Sequence, residues 1–206
     1  MAFVSTASNL LPGTNVASTG TWNVYRRDRT TNTTIRVSSS LTGGYGDGHS
    51  FAPAMSSDGR FIAFASQAHN LIASDLNDCT DIYLRDVQAG TTTRVSVGPG
   101  GLEPIGDSTF PCISSDGRFI AFQSAAANIT SQPAPNGVPY VCLHDRMTGS
   151  TARVVTATWT SLAAGGTTNP ALSPDGRWIA FSSTESDLAA GDENDSEDVF
   201  VRGPLF

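Results

Sequence analysis

The chain has 206 residues, of which 39% are hydrophobic and only 15% charged, a composition that can bury a core and excludes disordered and collagen-like chains. No apolar run approaches the roughly 18 residues of a transmembrane helix, and the first residues lack the pattern of a signal peptide, so we expect no membrane insertion. The net charge is −7 and the 12 basic residues are spread along the chain, which argues against a nucleic-acid partner.

A unit of nearly sixty residues recurs along the chain. Its clearest marker is the triplet Asp-Gly-Arg, which begins at Asp58, Asp116 and Asp175. The predicted repeats cover approximately 1–48, 49–107, 108–166 and 167–206, and together they are predicted to form a single domain. The first repeat begins in the middle of a unit and the last stops before its end, so the chain holds about 3.5 units.

Each complete unit predicts four short strands. The first ends at a Ser-Asp-Gly or Pro-Asp-Gly turn, where Asp bonds its own backbone and Gly accepts a positive φ. The second is rich in aromatic and β-branched residues, as in FIAFAS from Phe61, and pairs with the first as a hairpin. A long polar loop, an alternating third strand such as DIYLRD from Asp81, a short turn and a fourth strand follow. With partial units at both ends, the prediction is 14 strands and no significant helix.

The repeat pattern resembles a known family. Across the units it is P-x-[hydrophobic]-S-x-D-G-[RK]-x-I-A-F-x-S, then D-[IV]-[YF]-x-x-D, then T-x-R-V, which is similar to the TolB-type WD-like β-propeller repeat. The resemblance implies an all-β propeller of four-stranded antiparallel blades, incomplete at both ends. It also implies a bacterial periplasmic or extracellular protein. Such repeats occur as interaction scaffolds and as domains attached to peptidases and lyases, so no single activity is implied.

Blade connectivity divides the loops between two faces. The Asp-Gly-Arg hairpins share the bottom face with the turns between third and fourth strands. The loops between second and third strands share the top face with the loops between blades. The top loops vary between units while the bottom turns hardly change, and binding residues usually lie on variable loops over a rigid scaffold. The predicted top-face binding residues are Trp22, Tyr45, Asp47, His49, His69, Asp107 and Trp159.

Two top loops carry a denser acidic pattern. Oxygen-bearing side chains fall at alternate positions, namely Asp75, Asn77 and Asp81 in the first loop and Asp192, Asn194 and Asp198 in the second. Calcium takes about six to eight oxygen ligands from flexible loops, so one hypothesis is that these residues bind calcium. The alternative is that they cap turns, because both loops lack the central Gly and distal Glu of an EF-hand. No cofactor is required by either interpretation.

The sequence contains no convincing catalytic constellation. His49, His69 and His144 lie in different segments, and no G-x-S-x-G elbow is present to position a nucleophile. Cys112 and Cys142 replace core residues of the other units and are interpreted as small hydrophobes. No two cysteines form a CxxC pair, which disfavours a zinc site. We therefore predict that the chain is not an enzyme.

Three functions remain open. The first is a non-catalytic scaffold that binds a protein partner through its top-face loops. The second is an accessory propeller portion of a larger secreted or periplasmic hydrolase or lyase. The third is a carbohydrate-binding propeller that stacks glycans on Trp22, Tyr45 and Trp159. Incomplete terminal blades expose strand edges, so we also expect a homo-oligomer or a fragment of a longer chain to complete the ring.

Overall fold

All regular structure in the described residues is β-strand apart from one 3-10 turn at Pro99–Gly101. The computed structural model describes residues 1–11, 20–131, 137–155, 166–185, 188–189 and 196–205. Within these ranges the all-β prediction is confirmed.

The strands form four antiparallel sheets, which we call blades 1 to 4. Each blade is a meander in which strands pair in chain order. Blade 1 contains β1 (Ala2–Ser5), β2 (Asn23–Asp28) and β3 (Thr33–Arg36), and blade 2 contains β4 (Ser50–Met55), β5 (Phe61–Ser66), β6 (Asp81–Asp86) and β7 (Thr91–Arg94). Blade 3 contains β8 (Ser108–Ile113), β9 (Phe119–Ser124), β10 (Tyr140–Asp145) and β11 (Ser150–Arg153), and blade 4 contains β12 (Thr167–Leu172), β13 (Ile179–Ser183) and β14 (Asp198–Arg202). The described strands are thus distributed among the blades as the repeat predicts.

Hydrogen bonds within the Asp-Gly-Arg hairpin close the turn between the first and second strands. In blade 2, Ser56 Oγ donates to Asp58 Oδ1 at 2.5 Å, and the same oxygen accepts the backbone N–H of Arg60 at 2.9 Å. These bonds to Ser56 and then to the Arg60 backbone lower the pKa of the Asp58 carboxyl. Gly59 takes the positive φ of 71° that closes the turn. Asp116 and Asp175 make the same two bonds in blades 3 and 4.

The first strand of blades 2 to 4 contains a bulge that the sequence analysis did not anticipate. The pairing register shifts after Phe51, Thr109 and Thr168. The next residue has a positive φ in each case, and these residues are Ala52, Phe110 and Asn169. A proline follows each of them, at a position where a missing ladder donor is tolerated. The recurring proline of the repeat therefore marks a bulge.

Neighbouring blades pack through opposite sheet faces in a repeated way. We call the face of a blade toward the following blade its forward face, and the other its back face. Between blades 2 and 3, Phe61, Ala63 and Ile82 meet Ile120 and Phe122 in one buried cluster. The other two clusters repeat this arrangement: Val24 and Val37 meet Ile62, Phe64 and Tyr83 between blades 1 and 2, and Ala121 and Val141 meet Ile179 and Phe181 between blades 3 and 4.

The bottom face is tied together from blade to blade. Ser57 N donates to Ser115 O at 3.0 Å, and Ser115 N donates in turn to Pro174 O at 2.8 Å. Within blades 2 and 3, the arginine of the triplet also pairs with the aspartate that ends the third strand. Arg60 Nη2 lies 2.7 Å from Asp86 Oδ2, and the same pair in blade 3 is Arg118 and Asp145 at 2.8 Å. These recurring bonds hold the hairpins of neighbouring blades together at the bottom face.

Candidate binding face

A side-chain amide fastens the loop between blades to the following top loop. Asn70 accepts the backbone N–H of Asp47 at 3.3 Å and donates to Tyr45 O at 3.4 Å. Asn128 does the same one blade later, accepting from Ile105 N and donating to Glu103 O, both at 2.8 Å. An amide can both accept and donate, so one side chain satisfies two backbone groups of the same loop. Sequence reasoning missed this role, although its signal was an asparagine recurring at the same repeat position.

Beneath the top face of blade 2 lies a charged group that we call the Arg94 cluster, consisting of Asp75, Asp81, Arg94 and Glu103. Arg94 Nη1 lies 2.8 Å from Glu103 Oε1, 3.2 Å from Asp81 Oδ2 and 3.3 Å from Asp75 Oδ1. The side chains of Asp75, Asp81 and Arg94 are buried, and that of Glu103 is partly exposed. The cluster therefore joins β7, the β5–β6 loop, the start of β6 and the β7–β8 loop.

Further hydrogen bonds satisfy the carboxylates of the cluster. Ser96 Oγ donates to Asp81 Oδ1 at 2.5 Å, and the Tyr83 hydroxyl donates to Asp75. Asn77 Nδ2 donates to Asp81 Oδ2 and to Pro104 O, both at 3.0 Å. Buried charges are tolerated only when they are paired and hydrogen-bonded in this way.

The environment shifts the pKa values of the cluster in different directions. Burial raises the pKa of Asp81, although Ser96 and Arg94 oppose this shift. The backbone N–H of Leu76, followed by Arg94, lowers the pKa of Glu103. Burial alone would lower the pKa of Arg94, but hydrogen bonding to Glu103 and the charge of Asp81 raise it. Arg94 therefore stays charged and stabilises the ionised form of the carboxylates around it.

The two acidic loops of the calcium hypothesis are placed differently. In the first loop, Asp75 and Asp81 both pair with the guanidinium of Arg94, and Asn77 donates to Asp81 Oδ2. Across the described ranges, no group of three or more His, Cys, Asp or Glu side chains could hold a metal ion. In the second loop, Asp198 begins β14, whereas Asp192 and Asn194 lie outside the described residues. Calcium binding by either loop stays a prediction.

The aromatic candidates are placed differently from one another. Trp22 is half-exposed, its ring lies 5.3 Å from that of His49, and its backbone N donates to His49 Nδ1 at 3.1 Å. The ring of Tyr45 instead lies under a buried arginine, with Arg36 Cζ 3.8 Å from the ring centroid. Trp159 lies outside the described residues. Trp22 and His49 thus form one exposed pair, while Tyr45 is part of the loop support.

The polar candidates mainly bond to backbone. Asp47 Oδ1 accepts the N–H of His69 at 2.8 Å, and Asp107 Oδ1 accepts the N–H of Thr80 at 2.7 Å. His69 Nε2 lies 3.0 Å from Asp78 Oδ1 at the surface. His49 and Asp107 occupy equivalent positions of successive repeats, and each receives a backbone N–H from the preceding blade. These residues hold the loops in place.

Three exposed apolar side chains of the top face were not among the candidates. Leu76, Leu102 and Ile105 are 83%, 59% and 64% exposed. We call these three residues the aliphatic patch. They lie on the β5–β6 and β7–β8 loops, which are tied together because Leu76 N donates to Glu103 Oε1 at 2.8 Å and Asn77 reaches Pro104 O. These residues follow no repeat periodicity, so the sequence gave no indication that their side chains would be exposed.

Comparisons with known proteins identify the architecture. No family profile and no curated protein match the sequence. Among solved structures, TolB from Acinetobacter baumannii matches with a TM-score of 0.51 at 20% identity, over 92% of this chain and 37% of that one. A putative TolB from Agrobacterium tumefaciens gives 0.54 at 20% identity, over 91% and 55% of the two chains. The chain has a TolB-like β-propeller fold.

The same fold occurs in larger proteins. A structure from a study of two prolyl endopeptidases matches with a TM-score of 0.55 at 18% identity, over 90% of this chain and 25% of that one. The chain thus spans less than two thirds of each of these three structures. At these identities the likeness confirms the fold that the repeat predicts and leaves activity open. No helix in the described part is long and apolar enough to cross a membrane.

Proposed function

We propose that the chain is a non-catalytic propeller module of the periplasm or cell exterior that binds a protein partner through its top face, centred on the aliphatic patch. The observation that carries the proposal is the exposure of Leu76, Leu102 and Ile105 on two loops that are hydrogen-bonded to each other above the Arg94 cluster. Apolar side chains held at the surface by a rigid support lose little conformational freedom on binding, which favours their use as contact residues.

The charge around the patch indicates the chemistry of the partner. Glu103 on the β7–β8 loop is partly exposed, and Asp78 on the β5–β6 loop is almost fully exposed. The net charge of the chain is −7. We therefore propose a protein segment that presents aliphatic side chains flanked by Lys or Arg, since complementary charge steers association and excludes acidic competitors.

The cysteines support a binding role over thiol chemistry. Burial raises the pKa of Cys142 to about 12 and that of Cys112 to about 11. Burial also raises the pKa of the Cys79 thiol, although the backbone of Gly106 opposes it. A nucleophilic cysteine needs a lowered pKa, so none of the three is activated.

A displayed peptide library tests the proposal. Peptides selected on the wild-type chain should be aliphatic and basic, and their affinity should fall about 10-fold or more for a Leu76→Ser/Ile105→Ser variant, as expected for the loss of two contacting side chains. Leu41→Ser is the matched control, because Leu41 is 64% exposed on the loop between blades 1 and 2 and lies outside the patch. Equal binding by the patch variant would refute the proposal. So would glycan-array binding that is lost in Trp22→Ala.

A further inference from the structure

Two equivalent clefts lie between neighbouring blades. The first, of about 420 Å³, lies between blades 1 and 2, and the second, of about 470 Å³, lies between blades 2 and 3. Each is bounded by the loop that follows the edge strand of one blade and by the start of the edge strand of the next. These segments are 39–43 with 90–92 in the first cleft and 97–101 with 149–151 in the second. Small-molecule sites usually have volumes of roughly 300–1,000 Å³, so both clefts are large enough for a ligand.

The first cleft contains an arginine whose charge has no partner. Arg85 lies on the back face of blade 2 and lines the cleft, and its Nη1 donates to Thr92 Oγ1 at 3.0 Å. Among the described residues its side chain forms no ion pair, and its Nε is buried without a hydrogen-bond partner. Burial lowers the pKa of Arg85, and the charge of Asp86 opposes this shift only in part. Asp86 is itself paired with Arg60, so the guanidinium of Arg85 lacks a countercharge of its own.

A second arginine lies behind the same loop. Arg36 is buried and donates from Nη2 to the carbonyl of Gly43, which lines the cleft. Its Nε and Nη1 are buried without a hydrogen-bond partner, and it forms no salt bridge with any carboxylate in the described part of the chain. The first cleft is thus flanked by two arginines without a paired carboxylate, in a chain whose net charge is −7.

The second cleft has a similar size and a different charge. His144 occupies the repeat position of Arg85, and its Nδ1 lies 3.0 Å from Thr151 Oγ1. Burial lowers the pKa of His144, so the neutral ring predominates at pH 7. Arg94 occupies the repeat position of Arg36 and is paired with the carboxylates of the Arg94 cluster. Of these two clefts, only the first therefore carries positive charge that an anion would compensate.

The walls of the first cleft indicate which anion would fit. Thr92 Oγ1 accepts from Arg85, so its own hydroxyl proton is available to a ligand. Leu41, which is 64% exposed, and the buried Leu71 add apolar surface to the lining. A guanidinium beside a hydroxyl suits a carboxylate, and the two leucines suit an aliphatic chain attached to it.

We propose that the cleft between blades 1 and 2 binds a carboxylate carried on a short aliphatic chain, with Arg85 as its countercharge. Two sources present this chemistry, namely a free short-chain carboxylic acid and the C-terminus of a peptide that ends in an aliphatic residue. The lining of the cleft contains no residue of the aliphatic patch, so this site is separate from the proposed partner surface.

Calorimetric titration and amide NMR spectra test the site with two probes, isocaproate as the free acid and acetylated alanyl-leucine as the peptide C-terminus. We expect at least one probe to bind and to shift the amide signals of residues 39–43 and 90–92. The probe that binds more tightly identifies the source. Arg85→Gln should weaken binding at least about 10-fold, because it removes a hydrogen bond between charged groups. If circular dichroism shows that this variant does not fold, Leu41→Asp at an exposed position should have the same effect through repulsion.

Matched controls separate this site from the rest of the surface. Arg27→Gln should bind as the wild type, because Arg27 occupies the same repeat position in blade 1, donates to Thr34 and lies outside the cleft. Leu76→Ser/Ile105→Ser should also bind as the wild type, which distinguishes this site from the aliphatic patch.

Several results would overturn the proposal. These are no binding by either carboxylate, equal binding by a folded Arg85→Gln variant, and equal binding by isocaproamide, which lacks the charge. Binding of inorganic phosphate in place of both carboxylates would overturn the assignment of the ligand. Shifts confined to residues 97–101 and 149–151 would place the ligand in the second cleft and would also overturn it.

Discussion

Replacing Arg94 tests whether the Arg94 cluster supports the top face. Arg94→Met keeps most of the side-chain volume and removes the charge that Asp75, Asp81 and Glu103 share. Removing one partner of a buried ion pair typically costs about 3–5 kcal/mol, because the remaining charge is left uncompensated. Two of the three carboxylates here are buried, so we expect a loss of stability in that range.

The repeat supplies a matched control in Arg36→Met. Arg36 occupies the same position in blade 1 and is equally buried, but it forms no salt bridge with any described carboxylate. Its contacts are a hydrogen bond from Nη2 to Gly43 O at 3.1 Å and the face of the Tyr45 ring. Loss of one hydrogen bond and one cation–π contact costs about 1–2 kcal/mol. Urea unfolding followed by circular dichroism should therefore separate the two variants by about 2–3 kcal/mol.

The pH dependence distinguishes lost charge pairing from lost packing. Burial already raises the pKa of Asp81, and without Arg94 this pKa rises further in the folded state. A carboxyl whose folded-state pKa is raised destabilises the fold at pH above that value, and the penalty disappears as pH falls below the unfolded value of about 4. The difference between Arg94→Met and the wild type should shrink as pH falls from 7 to 4. Equal losses in the two arginine variants, or a difference independent of pH, would refute this account.

Two further predictions concern the bottom face. Gly117→Ala should lower the free energy of unfolding by at least about 1–3 kcal/mol more than the control Gly90→Ala. Both glycines have a φ near +70°, but only at Gly117 would an added Cβ lie 2.3 Å from Phe61 Cδ2. Equal melting temperatures would contradict it. Arg118 lowers the pKa of Asp145 to about 2, so this contribution is present above about pH 4 and lost as pH falls toward 2. Arg118→Gln should therefore lower the urea midpoint slightly at pH 7, since the pair is partly exposed. The midpoints of the variant and the wild type should converge near pH 2, and a gap that is constant with pH would contradict this account.

The strands and hairpins could be predicted because their signals are local. The Ser-x-Asp-Gly-Arg sequence contains every group that closes the hairpin, from the Ser56 hydroxyl to the positive φ of Gly59. Alternation of apolar residues then assigns the two faces of each blade. The sequence did not predict the bulges, because a residue before proline is ordinarily expected to have an extended backbone. Only the pairing register and the positive φ show that Ala52 interrupts the regular strand.

The candidate site could be predicted only as a face. Connectivity places the variable loops together, but the roles of single residues depend on which side chain meets which across loops. Asp107 and His49 were candidates because of their chemical character, and both bond to backbone. Leu76 was not a candidate because its exposure depends on the fold of its loop rather than on its sequence neighbours.

Arg36 and Arg94 show how one scaffold carries different top faces. Both arginines belong to the same T-x-R-V strand end, and the residue nine positions later is Tyr45 in one repeat and Glu103 in the other. The backbone carbonyls of these two residues accept the same amide hydrogen bond, from Asn70 and Asn128. The loop backbone is thus held identically while the side chain above the arginine changes from an aromatic ring to a carboxylate. Because the arginine accepts either partner, substitutions in this loop alter surface chemistry without altering the blade, which makes the loop between blades the natural place for binding specificity to vary.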